Sequence, residues 1–208
     1  MIIQDIVPVG RQNRPGRIRV PRGLVYHTTN NWKPGATAKA HARLMRTTSS
    51  ETGWHVTVDS TDAIQHIPFN EMAWHAGDGN GPYNTYWIGM EICVNRIQQG
   101  QPLDRETYNK AVETAACIMK LNNLTELKPH KVVYGKNCPH HELFDHAKFE
   151  ADVKRLLAGD VNRMDKEAAQ KVIDVLGALY MASADKEVQE AAHYAADKLR
   201  EVAGIPQT

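Results

Sequence analysis

Residues 88–94 read Ile-Gly-Met-Glu-Ile-Cys-Val. A short run, mostly apolar and β-branched, has the look of a strand from the interior of a sheet. Its one charged residue, Glu91, is out of place there. An apolar strand disfavours the charged form of a carboxylate, so the Glu91 pKa is expected to rise into a range useful for proton transfer. Other segments read as partners for this strand. Residues 24–29 (Leu-Val-Tyr-His-Thr-Thr) form an apolar run ending in polar groups, and His27 sits at that polar end. Residues 55–59 alternate with period two, and 63–67 read as their hairpin partner across a turn at 60–62. Helices are expected from Thr37 to about Met45, from Asp104 to Asn122, and from an N-cap at Asp145 to Ala158. The second carries Tyr108, Val112, Ala115, Ala116 and Met119 on one face. The third carries Phe149, Val153, Leu156 and Leu157. Between these lie a Gly-rich loop at 75–82 and a loop from His130 to Pro139, with Pro129 breaking the chain before it.

The 208 residues suffice for one ordinary domain and a small appendage. The boundary is expected at Gly159-Asp160, which divides a domain of residues 1–158 from a helical segment of residues 160–208. In that tail acidic residues outnumber basic ones, the reverse of the rest of the chain. Two amphipathic helices fit it, one grouping Val172, Leu176, Leu179 and Tyr180, the other Val188, Ala192, Ala195, Leu199 and Val202. Ser183-Ala184-Asp185 would turn between them. A net charge of +1 gives no general attraction to nucleic acid. No apolar run reaches the ~20 residues that span a bilayer, so no membrane insertion is expected. The first residues lack a basic segment followed by an apolar one, and no signal peptide is read there. Three cysteines, Cys93, Cys117 and Cys138, argue against a disulfide framework and for a reducing cytoplasm. Cys93 and Cys117 fall on apolar faces and read as core residues.

His27, His130 and Cys138 raise a sharper expectation. Two imidazoles and a thiolate are a donor set for zinc, which takes N and S ligands tetrahedrally and in catalytic sites leaves the fourth position to water. Their spacing is too long for a zinc finger, so an open site is expected. His140 and His141, directly after Cys138, are the rival ligands. Lys136 lies two residues before Cys138, and in an extended segment both side chains would point the same way.

Five stretches, in one order over about residues 20–158, carry a family resemblance. They are Val25-Tyr26-His27-Thr28-Thr29, Gly53 through Asp59, Ala73-Trp74-His75-Ala76-Gly77-Asp78-Gly79, Ile88 through Cys93, and Pro129-His130 with Lys136 through Pro139. Together they resemble the type 2 N-acetylmuramoyl-L-alanine amidases, relatives of the peptidoglycan recognition proteins, and most of all the endolysins of phages and prophages of Bacillus-like hosts. The resemblance implies an α/β fold, a mixed central β-sheet flanked by helices, with a zinc groove on its surface. It implies Zn2+ held by His27, His130 and Cys138. Glu91 is then the general base and Lys136 stabilises the oxyanion. His75 and Trp54 are the expected substrate-binding residues. For His75 a structural role is an equal alternative. Trp54 stands where some members have a tyrosine, and without a hydroxyl that tyrosine's role does not transfer. His55 reads as structural.

The implied activity is hydrolysis of the amide bond between N-acetylmuramic acid and L-alanine in peptidoglycan. The enzyme would be made in the host cytoplasm and would act on the wall during phage lysis. A cytosolic recycling amidase and a non-catalytic peptidoglycan binder are the alternatives, the second disfavoured by Cys138. For the tail the readings are a wall-binding module, a homodimer contact, or a hairpin that stabilises the fold.

Overall fold

A computed structural model of the chain describes residues 1–139, 144–158, 166–203 and 205–206. His140 and His141, the boundary residues Gly159-Asp160, and the side chain of Val202 lie outside what is described. The chain divides into two compact units, Met1–Ala158 and Gly159–Thr208.

The first unit is a mixed sheet with helices packed on it. Its strands are β1 (Ile3–Gln4), β2 (Gly23–Thr28), β3 (Val56–Val58), β4 (Ala63–Gln65), β5 (Trp87–Ile92) and β6 (Glu126–Pro129), in spatial order β1-β4-β3-β5-β2-β6. Only β3 and β4, the expected hairpin, pair antiparallel; the other neighbours are parallel. Its helices are α1 (Ala38–Thr47), α2 (Pro82–Tyr86), α3 (Arg105–Leu121), α4 (His130–Tyr134) and α5 (His146–Leu157). Thr37, Asp104 and Asp145 cap α1, α3 and α5, each side chain accepting from a backbone N–H three residues on.

Strand alternation sorts the sheet into two faces. Leu24 and Tyr26 of β2, Val56 and Val58 of β3, and Ile88, Met90 and Ile92 of β5 form one core with Ala111, Ala115 and Ile118 of α3 and Phe149 and Val153 of α5. The residues between them face the other way. Register sets His27 beside Glu91 and Glu91 beside Thr57. One row of polar side chains thus crosses three adjacent strands, on the face that α3 and α5 leave uncovered.

Besides the two-residue edge strand β1, three elements were not expected. Glu126–Pro129 is an edge strand, where only a break at Pro129 was read, and a proline is tolerated at the end of an edge strand. The segment after it is not a loop throughout, because His130–Tyr134 forms a single helical turn closed by Gly135 at φ +71°. Within the Gly-rich loop, Pro82 opens α2 from a position where its missing N–H costs nothing.

In the second unit α6 (Lys166–Ala182) packs on α7 (Lys186–Ala203). Its buried side chains include Ala169, Ile173, Ala192 and Ala196. This corrects the expected face of α6: Val172, Leu179 and Tyr180 stay 46%, 48% and 41% exposed. The packed stripe runs through Ala169 and Ile173, one turn apart, and the larger side chains stand beside it. No described helix is long and apolar enough to cross a membrane.

Candidate metal centre

Parallel pairing brings the donors together. β6 lies beside β2 with Tyr26 opposite Pro129, so the residues that follow, His27 within β2 and His130 just past β6, arrive as neighbours. His130 then starts α4, and the chain folds back until the Lys131 N–H donates to the Cys138 carbonyl at 2.7 Å. Nδ1 of His27 is 3.0 Å from Nδ1 of His130 and 3.9 Å from Sγ of Cys138. One donor atom from each of the three residues lies within 4.8 Å of the other two. They line a cavity of about 420 Å³ together with Glu91, His75, Lys136 and Asn137. Lys136 and Cys138 share this cavity, but not through an extended segment. The Cys138 N–H donates to the Lys136 carbonyl at 2.8 Å, a tight turn.

A proton count tests whether a cation fits. Nε2–H of His130 donates to the Ala76 carbonyl at 2.9 Å, and Nε2–H of His75 donates to the Trp87 carbonyl at 3.1 Å. A carbonyl only accepts, so both rings carry their proton at Nε2 and present a bare Nδ1. His27 stands between those two bare nitrogens, with its Nδ1 facing His130 and its Nε2 3.1 Å from His75. A neutral imidazole has one proton. It can fill one of the two gaps and leaves two lone pairs facing each other across the other. A cation beside His27, His130 and the sulfur fills that second gap, and the N,N,S donor set suits zinc.

Burial keeps the metal-free donors uncharged. It holds the His27 pKa well below 6.5 and lowers that of His130. Burial first, then Glu91, pushes the Cys138 thiol up to about 12, so a bound cation must displace its proton. Glu91 is pushed up to about 8 by burial alone, and its Oε2 has no hydrogen-bond partner among the described residues. An unpartnered carboxylate oxygen beside a cation site can take and return a proton.

Not every expected residue joins this cavity. Trp54 is packed with Val7, Met45, Ile67 and Ala73, and its indole N–H donates to the Thr57 hydroxyl at 2.6 Å. It is buried and is not among the residues that line this cavity. His55 is fully buried as a structural link. It accepts from the Gly89 N–H at Nδ1 and donates from Nε2 to the Glu71 carbonyl, each at 2.9 Å. Cys93 is a core residue. Sequence reading missed Thr28, Asn30 and Thr52, which also line the cavity. It missed Asn84 as well, whose Oδ1 accepts from the backbone N–H groups of His75 and Ala76 and fixes that loop. Asn30, in a loop, and Asn84, in α2, carry no sequence signal of either role.

The family model described as N-acetylmuramoyl-L-alanine amidase (Amidase_2) matches residues 17–141. The chain is 41% identical over 158 residues to the N-acetylmuramoyl-L-alanine amidase XlyA of Bacillus subtilis, which covers 73% of this chain and 50% of that protein. The solved catalytic domain of XlyA superposes with a TM-score of 0.67 at 40% identity, over 74% of this chain and 99% of that one. A mutant endolysin from Bacillus subtilis gives a TM-score of 0.66 at 38% identity, over 74% of this chain and 98% of that one. The chain spans about half the length of the curated relatives it matches. By the family model, which matches more than half of it, the chain belongs to the N-acetylmuramoyl-L-alanine amidase family.

Proposed function

We propose that the chain is a zinc-dependent N-acetylmuramoyl-L-alanine amidase that hydrolyses the bond between N-acetylmuramic acid and L-alanine in peptidoglycan. In this reading it is the lytic enzyme of a phage or prophage, made in the host cytoplasm and acting on the wall after release. The observation that carries it is one cavity holding two imidazole nitrogens, a thiol sulfur and a carboxylate in register with one of the imidazoles. Zinc, held by His27, His130 and Cys138, would supply a Lewis acid for the scissile carbonyl and lower the pKa of a water, in favourable sites to about 7.

Glu91 takes a proton from the attacking water and passes it to the leaving amine of L-alanine. Its environment suits both steps. Burial raises its pKa to about 8, and a bound cation alongside would lower it again by favouring the carboxylate. Lys136, exposed at the mouth of the cavity, offers an ammonium group to the charge that develops on the carbonyl oxygen. Trp54 serves the site indirectly, by holding Thr57 beside Glu91 in the sheet.

The test is mass analysis of purified walls digested by the zinc-loaded chain. New L-alanine amino termini and lactyl-ended glycan strands are expected. New reducing-end sugars, or intact walls, overturn the reading. To the unit Gly159–Thr208 we assign wall attachment or pairing with a second copy. Sedimentation with walls and gel filtration tell these apart, and a monomer that stays in solution overturns both.

A further inference from the structure

The hydrogen-bond chain continues beyond the donor triad. His75 lies across Gly89, where an added Cβ would come within 2.5 Å of the ring, so the ring seats directly on the backbone of β5. The Trp87 carbonyl that accepts from Nε2–H of His75 also accepts from Nη2 of Arg19 at 3.2 Å. Arg19 is 8% exposed and forms no ion pair among the described residues. Nε and Nη1 of its guanidinium have no partner there either. A buried cation without a counter-charge is costly. Here it fixes a carbonyl that in turn fixes the proton of His75. Both ring nitrogens of His75 are thereby engaged.

We propose that His75 is a positioning residue of the metal centre, whose Nδ1 lone pair holds His27 as the Nε2–H tautomer and so turns Nδ1 of His27 toward the cation. Arg19 anchors the far end of this chain through the Trp87 carbonyl. The inference rests on the zinc reading above. Of the two gaps that flank His27, the sulfur of Cys138 lies at the Nδ1 side. A cation shared with that sulfur takes the Nδ1 side, and the single proton of His27 goes to His75. Partners of this kind fix the tautomer and orientation of a ligating histidine, and their loss weakens metal binding by about 10- to 100-fold.

Zinc alone is the probe, and the full chain the protein. Chelator competition on His75→Phe, which keeps a ring but removes both nitrogens, should give a zinc Kd weaker by about 10- to 100-fold. His75→Asn restores an acceptor and should recover most of that loss. Long-range proton–nitrogen spectra of the unaltered, zinc-loaded chain should show His27 protonated at Nε2. A folded His75→Phe variant that binds zinc as tightly as the unaltered chain overturns the proposal, and so does a His27 ring protonated at Nδ1. The spectra need no variant, so they decide even where His75→Phe does not fold. An unaltered chain that takes up no zinc removes the metal reading itself. One that takes up zinc and fails either test removes only the role of His75.

Discussion

Glu91 and Lys136 line the same cavity, and their proposed roles separate in a kinetic experiment. Glu91→Gln keeps the shape of the side chain and removes the proton acceptor. It should lower kcat on a muramoyl-L-alanine substrate by about 10²- to 10⁴-fold while zinc content stays at one per chain. Equal loss of zinc and activity would mean that Glu91 serves the metal rather than the proton. Lys136→Ala removes a charge that matters only as the carbonyl oxygen becomes negative, so kcat should fall by about 10²- to 10³-fold with little change in KM. A rise in KM alone would assign Lys136 to substrate binding instead. That His27, His130 and Cys138 come together was legible in the sequence, because each stands at or near the boundary of a strand or a proline-bounded segment. The surroundings of His75 and Trp54 were not. Which nitrogen faces which partner is decided only when β2, β5 and the Gly-rich loop converge, and the burial of Trp54 depends on Val7 and Met45, remote in sequence.

Among the elements, β5 is under a tight steric limit where it meets His75. At Gly89 a Cβ would meet His75 Cγ at 2.5 Å, whereas at Gly35 it would meet nothing within 4 Å. Gly89→Ala should therefore cost about 1–3 kcal/mol by overpacking and weaken zinc binding, while Gly35→Ala stays near neutral. Thermal melts and zinc titrations of both variants check this. Equal behaviour of the two would contradict the packing described for His75. The strands and helices that the sequence revealed are those with local signals: apolar runs in β2 and β5, a polar turn between β3 and β4, and capping side chains before α1, α3 and α5. β6 was hidden because Glu-Leu-Lys-Pro, although it alternates, is only four residues long and ends in proline. It becomes a strand through pairing with β2, and that same pairing delivers His130. α2 and α4, of five residues each, are too short for a periodic pattern. On α6 the sequence offered two adjacent apolar stripes, and large side chains drew the reading to the stripe that is not packed.

For the molecule as a whole, the histidines set the response to acid. His27, His41, His55, His66, His75 and His130 all have lowered pKa values, with burial the largest cause in each. Below about pH 6.5 the unfolded chain takes up protons that the folded chain refuses. Their contribution to stability is intact above that pH and is lost as pH falls, by up to ~1.4 kcal/mol per pH unit for each histidine. Glu91 acts in the opposite sense: its raised pKa favours the folded state at low pH, and that benefit is lost as pH rises through about 8. Six groups outweigh one, so the metal-free chain should melt at a clearly lower temperature at pH 5.5 than at pH 7.5. A flat or rising Tm over that interval would mean that the histidines are not buried as neutral rings. The proposed zinc site joins His27, His130 and Cys138. Zinc K-edge absorption of the loaded chain reads its ligands directly. It should show one sulfur at about 2.3 Å and two imidazole nitrogens at about 2.0–2.1 Å, with one further light atom. A shell of nitrogen and oxygen alone, with no sulfur, would contradict the shared site.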